Sequence, residues 1–123
     1  MYGEIDLELY TLAIIRLNTA FEKLNDNNNN EVKEMFEESL NDLQTLYRDI
    51  VEDLNQEEVN LNEYYLFFQN GKQTFPQYIE MLGSVENESL EDVIGDLMNI
   101  FNNLNKIADA FSKNDMNYIS NGI

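Results

Sequence analysis

SLEDVIGDLMNIFNNLNKIADAF, residues Ser89–Phe111, decides the fold. Its large apolar residues are Leu90, Val93, Ile94, Leu97, Ile100, Phe101, Leu104, Ile107 and Phe111, with Ala108 beside them. Leu90, Leu97, Leu104 and Phe111 recur at seven-residue steps, with a second apolar row between. That spacing winds them onto one face of a helix about six turns long. The opposite face carries Glu91, Asp92, Asp96, Asn99, Asn102, Asn103 and Asp109. Ser89 stands where an N-cap belongs, and Asp92 where a capping box wants an acid. Gly95 falls on the polar side and costs about 1 kcal/mol relative to Ala. A stripe this long must be covered, which calls for three partners of similar length.

Upstream, Leu61, Phe68, Phe75 and Leu82 are again spaced by seven, with Tyr64, Tyr65, Tyr78 and Ile79 between them. This predicts a third helix over 61–82, joined to the last by the turn Gly83–Glu88. Gly71 and Pro76 interrupt it. Proline has no N–H and clashes with the carbonyl four residues back, so this helix is expected to be kinked or broken near Gly71–Pro76. Further back, Val32, Met35, Phe36, Leu40, Leu43, Leu46, Tyr47, Ile50, Val51 and Leu54 mark a second helix over 31–54. Tyr10, Ala13, Ile14, Leu17, Ala20, Phe21 and Leu24 mark a first over 4–24. The turns fall at Asn25–Asn30 and Asn55–Asn60, and the polar tail 112–123 is expected to fray. The expected architecture is all-α: one domain, 1–123, folded as an antiparallel up-and-down four-helix bundle.

Composition agrees. One Pro and five Gly in 123 residues are few breakers, and 43% hydrophobic residues suffice for a core. No run approaches the roughly 18 apolar residues of a membrane span. The acidic start Met1–Asp6 lacks the basic character of a secretory signal. The net charge is −17, from 24 acids and 7 bases. Nucleic acid and anionic membrane are therefore disfavoured as partners. The run Asn27–Asn30 reads as a loop and, with 19 Asn in all, as a compositional bias.

The chemistry of catalysis is missing. There is no His and no Cys, so the commonest general base, the thiol nucleophile and the usual soft metal ligands are gone. No Gly-x-Ser-x-Gly elbow and no Gly-rich phosphate loop occurs. Asp26, Asn28, Asn30 and Glu37 match positions one, three, five and twelve of a calcium loop, but position six is Glu31 where the sharp turn needs Gly. The plainer reading is a polar turn before an acidic helix. No enzyme, metal or cofactor is expected.

What remains is surface. Leu12 and Ile15 lie off the stripe of the first helix, and Leu66, Phe67 and Met81 off that of the third. The third helix holds six of the fourteen aromatics and little net charge. Such residues read either as widened core or as walls of a groove for an amphipathic helix. Those five are the candidate partner-binding residues.

The pattern Leu7-x-Leu9-Tyr10-x-x-Ala13-Ile14-x-x-Leu17-x-x-Ala20 resembles the first helix of the flagellin-specific export chaperones. Leu90–Leu104 resembles that family's last helix. Gly3–Asp6 stand where the family has a Thr-Ala-Ser-Pro-like cap, and there is no Trp near the end of the last helix. The resemblance implies a cytoplasmic chaperone that binds the C-terminal helical segment of flagellin and prevents polymerisation before export.

Two other readings stand beside it. Eight acids on the second helix suit an acidic inhibitor or immunity protein, a nucleic-acid mimic covering a basic surface. The off-stripe apolars also suit a homodimer seam in a structural subunit. A tail bearing Met116, Tyr118 and Ile119 is a further candidate occupant of any groove.

Overall fold

A computed structural model describes residues 7–24, 29–55 and 61–113, the side chains of 29 and 61–63 excepted. It contains four long helices: α1 (Leu7–Lys23), α2 (Asn29–Leu54), α3 (Leu61–Gly83) and α4 (Glu91–Ser112). A single 3-10 turn, Glu88–Leu90, leads into α4. Among the described residues all regular structure is helical, and the chain is an all-α four-helix bundle.

The apolar periodicity accounts for the packing. Leu90, Leu97 and Leu104 are fully buried and Phe111 nearly so, as their seven-residue spacing requires. The same line in α3, Phe68, Phe75 and Leu82, is fully buried as well. α1 runs antiparallel to α2, fixed by Ala13, Ala20 and Ser39, whose small side chains allow close approach. Ser39 Oγ donates to the Ala13 carbonyl at 2.8 Å, which satisfies the one buried polar residue in this core. α3 runs antiparallel to α4, with Tyr65 against Phe111 at one end and Tyr78 stacked on Phe101 further along. The two hairpins join so that like-directed helices adjoin. α2 lies along α4, and α1 meets α3 through Tyr10 on Phe67 and Tyr78 on Asn18.

Several expectations are adjusted. Of the two expected forms of α3, kinked or broken, the structure has the unbroken one, a single helix running on through Pro76. Buried residues seven apart on both sides of the proline hold it to α4, and Pro76 is exposed, so the lost bond faces water. α2 begins at Asn29, two residues early. Asn30 and Glu37 thus lie within one helix, which removes the second half of the calcium loop; Asp26 and Asn28 lie outside the described residues. Ser89 does not cap α4: α4 starts from Leu90 with no side-chain cap, and the capping residue here is Asn87, at the start of the 3-10 turn. Asn87 is extended, and its Oδ1 accepts from both the backbone N–H and the hydroxyl of Ser89. The expected start at Glu4 and the tail residues 114–123 lie outside the described residues. Among the described residues no helix is long and apolar enough to cross a membrane.

Candidate functional site

Five large hydrophobics are exposed among the described residues: Leu7, Leu12, Ile15, Leu66 and Met81. All five lie on α1 and α3, and those two helices adjoin. α2 and α4 contribute none. Scattered surface apolars need no explanation, but their confinement to one pair of neighbouring helices does.

The geometry is set by the parallel register of α1 and α3. Tyr10 meets Phe67 and Phe75, Asn18 receives the hydroxyl of Tyr78, and Phe21 with Leu24 borders the same cleft as Met81. A residue of α1 therefore stands level with one roughly 60 positions later in α3. Leu66 is level with the start of α1, while Met81 is level with Phe21. Leu66 and Met81 are thus about 22 Å apart along α3. Leu12 and Ile15, three apart, adjoin on the outer side of α1. Of the residues expected from sequence, Leu12, Ile15, Leu66 and Met81 are exposed. Phe67 is corrected: only 9% exposed, it packs edge-on against Tyr10 at 5.0 Å and against Phe68 at 5.0 Å. It looked peripheral because α3 was read with one apolar stripe, whereas α3 packs on two neighbours. Leu7 was missed as a surface residue. It shares a seven-residue line with Ile14 and Phe21, both half-buried, and that line was the available signal.

At the foot of the α1–α3 face lies a cleft of about 290 Å³ lined by Phe21, Leu24, Met81, Ser84, Val85 and Asn87. A larger open hollow, about 590 Å³, lies beyond it between the ends of α3 and α4, with Leu82, Val85, Ile94 and Met98 on its wall. Among the described residues no group of three or more acids is placed to hold a metal.

Charge is unevenly shared. α2 holds eight acids and α4 four, against two each on α1 and α3. The cations of α1 and α3 turn towards the other pair. Arg16 pairs with Glu38 and Asp42 of α2, Lys23 with Glu31 of α2 at 2.6 Å, and Lys72 with Asp109 and Ser112 of α4. These partly exposed pairs add little stability, but they fix which way the cations point.

Tyr10 closes the α1–α3 seam. Burial pushes its hydroxyl pKa above the ordinary 10.0, against the pull of a hydrogen bond with Thr74. The native state then holds a proton that the unfolded chain releases, so this group's contribution is intact below pH 10 and is lost as pH rises beyond it. Urea titrations at pH 8 and at increasing pH above 10 are expected to show a fall in stability that is shallower in Tyr10→Phe. An unchanged alkaline slope in that variant would place the hydroxyl in water.

No family model, curated protein or solved structure matches the chain.

Proposed function

We propose that this protein is a non-catalytic binding module that shields an amphipathic helical segment of a client protein. The face of α1 and α3 is the docking surface, with Leu12, Ile15, Leu66 and Met81 as contacts and Leu7 added. The observation that carries the proposal is the confinement of all five exposed large hydrophobics to these two adjoining helices. Helix-in-face docking reads anchors at i, i+3/i+4 and i+7, a spacing that such a surface accepts. The first-helix pattern Leu7–Ala20 supports a cytoplasmic export-type chaperone, with flagellin as the kind of client.

The test is a titration of a labelled flagellin C-terminal segment with the protein in 0.5 M NaCl, read by fluorescence anisotropy. High salt leaves apolar contact as the source of affinity. Ile15→Asp with Leu66→Asp is expected to weaken binding about tenfold or more without unfolding the bundle, since both positions are exposed. Equal affinity for wild type and double variant would remove the face from consideration.

A second reading, an acidic inhibitor of a basic protein, is favoured by α2, where Glu34, Glu37, Asp49 and Glu52 are exposed. Binding of that kind weakens steeply with salt and is indifferent to Ile15 and Leu66.

A further inference from the structure

We infer that the helix accepted by the α1–α3 face is basic along the flanks of its apolar stripe, and that the face selects against acidic helices and against a second copy of this chain. The inference rests on the docking role proposed above and adds the partner's charge.

The outer line of α1 reads Glu8, Ile15, Glu22 at seven-residue steps, and the outer line of α3 reads Leu66, Gln73, Glu80 at the same steps. All six are exposed. Ile15 thus stands between two carboxylates on its line, and Leu66 precedes Gln73 and then Glu80 on its own. Between the lines stand uncharged donors and acceptors: Thr11, Asn18, Asn70 and Thr74. Among the described residues no ion pair joins these carboxylates, while Arg16 and Lys23 pair with α2 and Lys72 with α4. A helix laid along this face meets Ile15 and Leu66 on the same two lines as Glu8, Glu22 and Glu80, with neutral polar groups between the lines.

Lysine or arginine at the flanks of the incoming stripe finds Glu8, Glu22 and Glu80 within reach of its long side chain. Aspartate or glutamate at the same positions meets like charge with nothing to neutralise it. A second copy fares worse still. Face-to-face pairing opposes Glu8, Glu22 and Glu80 to their own counterparts, on chains that each carry a net charge of −17. The face runs from the level of Leu7 to that of Phe21, about 21 Å, which a helix of about four turns covers.

The test uses three synthetic 18-residue helices and the full chain. The first two share one leucine stripe and differ only in having lysine or glutamate on its flanks. The third keeps the lysines and replaces the leucines by serine. Anisotropy titrations are run at 50 mM and 0.5 M NaCl, with light scattering of the protein alone across concentration. The lysine–leucine helix is expected to bind about tenfold or more tightly than the glutamate–leucine helix at low salt, the two converging at high salt. Ile15→Asp with Leu66→Asp abolishes binding of both. Equal affinities at low salt overturn the charge selection while leaving the docking face intact. Equal binding of the serine helix moves the contact to the acidic α2 side and overturns the inference. A concentration-dependent dimer lost in the Ile15→Asp, Leu66→Asp variant gives the face to a second copy and also overturns it. Absence of binding by every helix overturns both the inference and the docking role.

Discussion

Phe75→Ala is expected to destabilise the bundle by about 3–5 kcal/mol, the range for removing a fully buried aromatic ring. Phe75 is 0% exposed and sits where three helices meet. Its ring approaches Tyr10 of α1, Phe67 and Phe68 of its own helix, and Phe101 of α4, at centroid distances of 6.0–6.5 Å. Truncation forfeits the burial of the ring and leaves a void. The void resists collapse because its walls are engaged elsewhere: Phe68 stacks on Phe111, Phe101 stacks on Tyr78, and Phe67 packs edge-on against Tyr10. Small domains are stable by only about 5–15 kcal/mol in total, so the loss takes a large share. Urea titration checks it as a fall in midpoint at constant slope. Phe75→Leu, which keeps most of the volume, is expected to cost about 1–2 kcal/mol. A loss below about 1 kcal/mol for Phe75→Ala would mean that the ring does not hold the junction together.

Gly71→Ala is expected to destabilise by about 1–3 kcal/mol, although alanine is the better helix former by about 1 kcal/mol. The reason lies one turn on. Helical side chains lean back towards the N-terminus, and the Phe75 ring lies over Gly71. A Cβ on Gly71 would fall under 3.0 Å from Cε2, Cζ and Cδ2 of that ring. The ring cannot yield, because it is clamped between α1 and α4. Gly95 provides the contrast. A Cβ there meets nothing within 4 Å, so Gly95→Ala is expected to raise stability by about 1 kcal/mol. The mechanism is checked by a double-mutant cycle: in a Phe75→Leu background the penalty of Gly71→Ala should shrink, with a coupling energy of about 0.5–3 kcal/mol. An additive cycle would show that something other than the ring demands glycine.

Much of this architecture was legible in one sequence because burial repeats with the helix period. Leu90, Leu97 and Leu104 announced their own burial by phase alone, whereas for Leu12, Ile15, Leu66 and Met81 phase left widened core and exposed wall both open, and the structure exposes them. Phase fails where a helix has two neighbours. Phe67 lies one position off the row of Phe68 and Phe75, and only the adjacency of α1 turns that position into core. The interruption at Gly71–Pro76 looked like a weakness for a related reason. Propensity counts the missing N–H and the missing Cβ, whereas the fold uses the missing Cβ to seat Phe75 and turns the missing N–H towards solvent. Ser89 does not cap α4 because a 3-10 turn, Glu88–Leu90, takes it in and is itself capped by Asn87, leaving α4 to start from Leu90 without a side-chain cap. For the face itself, sequence supplied the residues but not their neighbours. That α1 lies beside α3, with its cations drawn away to α2, is tertiary information.

The way the hairpins join also dictates an order of assembly. α1 with α2, and α3 with α4, are consecutive in the chain and are closed by short connections, so each pairing carries a small loop entropy. Docking α2 on α4 and α1 on α3 instead links segments roughly 60 residues apart, and it brings Tyr10 onto Phe67 and Phe75 last. The meeting of the two hairpins is then expected to be slower than the formation of any one helix. Tyr10, whose ring meets Phe67 and Phe75 across that late seam, should act mainly on the rate of unfolding, so the ring that closes the seam also sets how long each molecule stays closed.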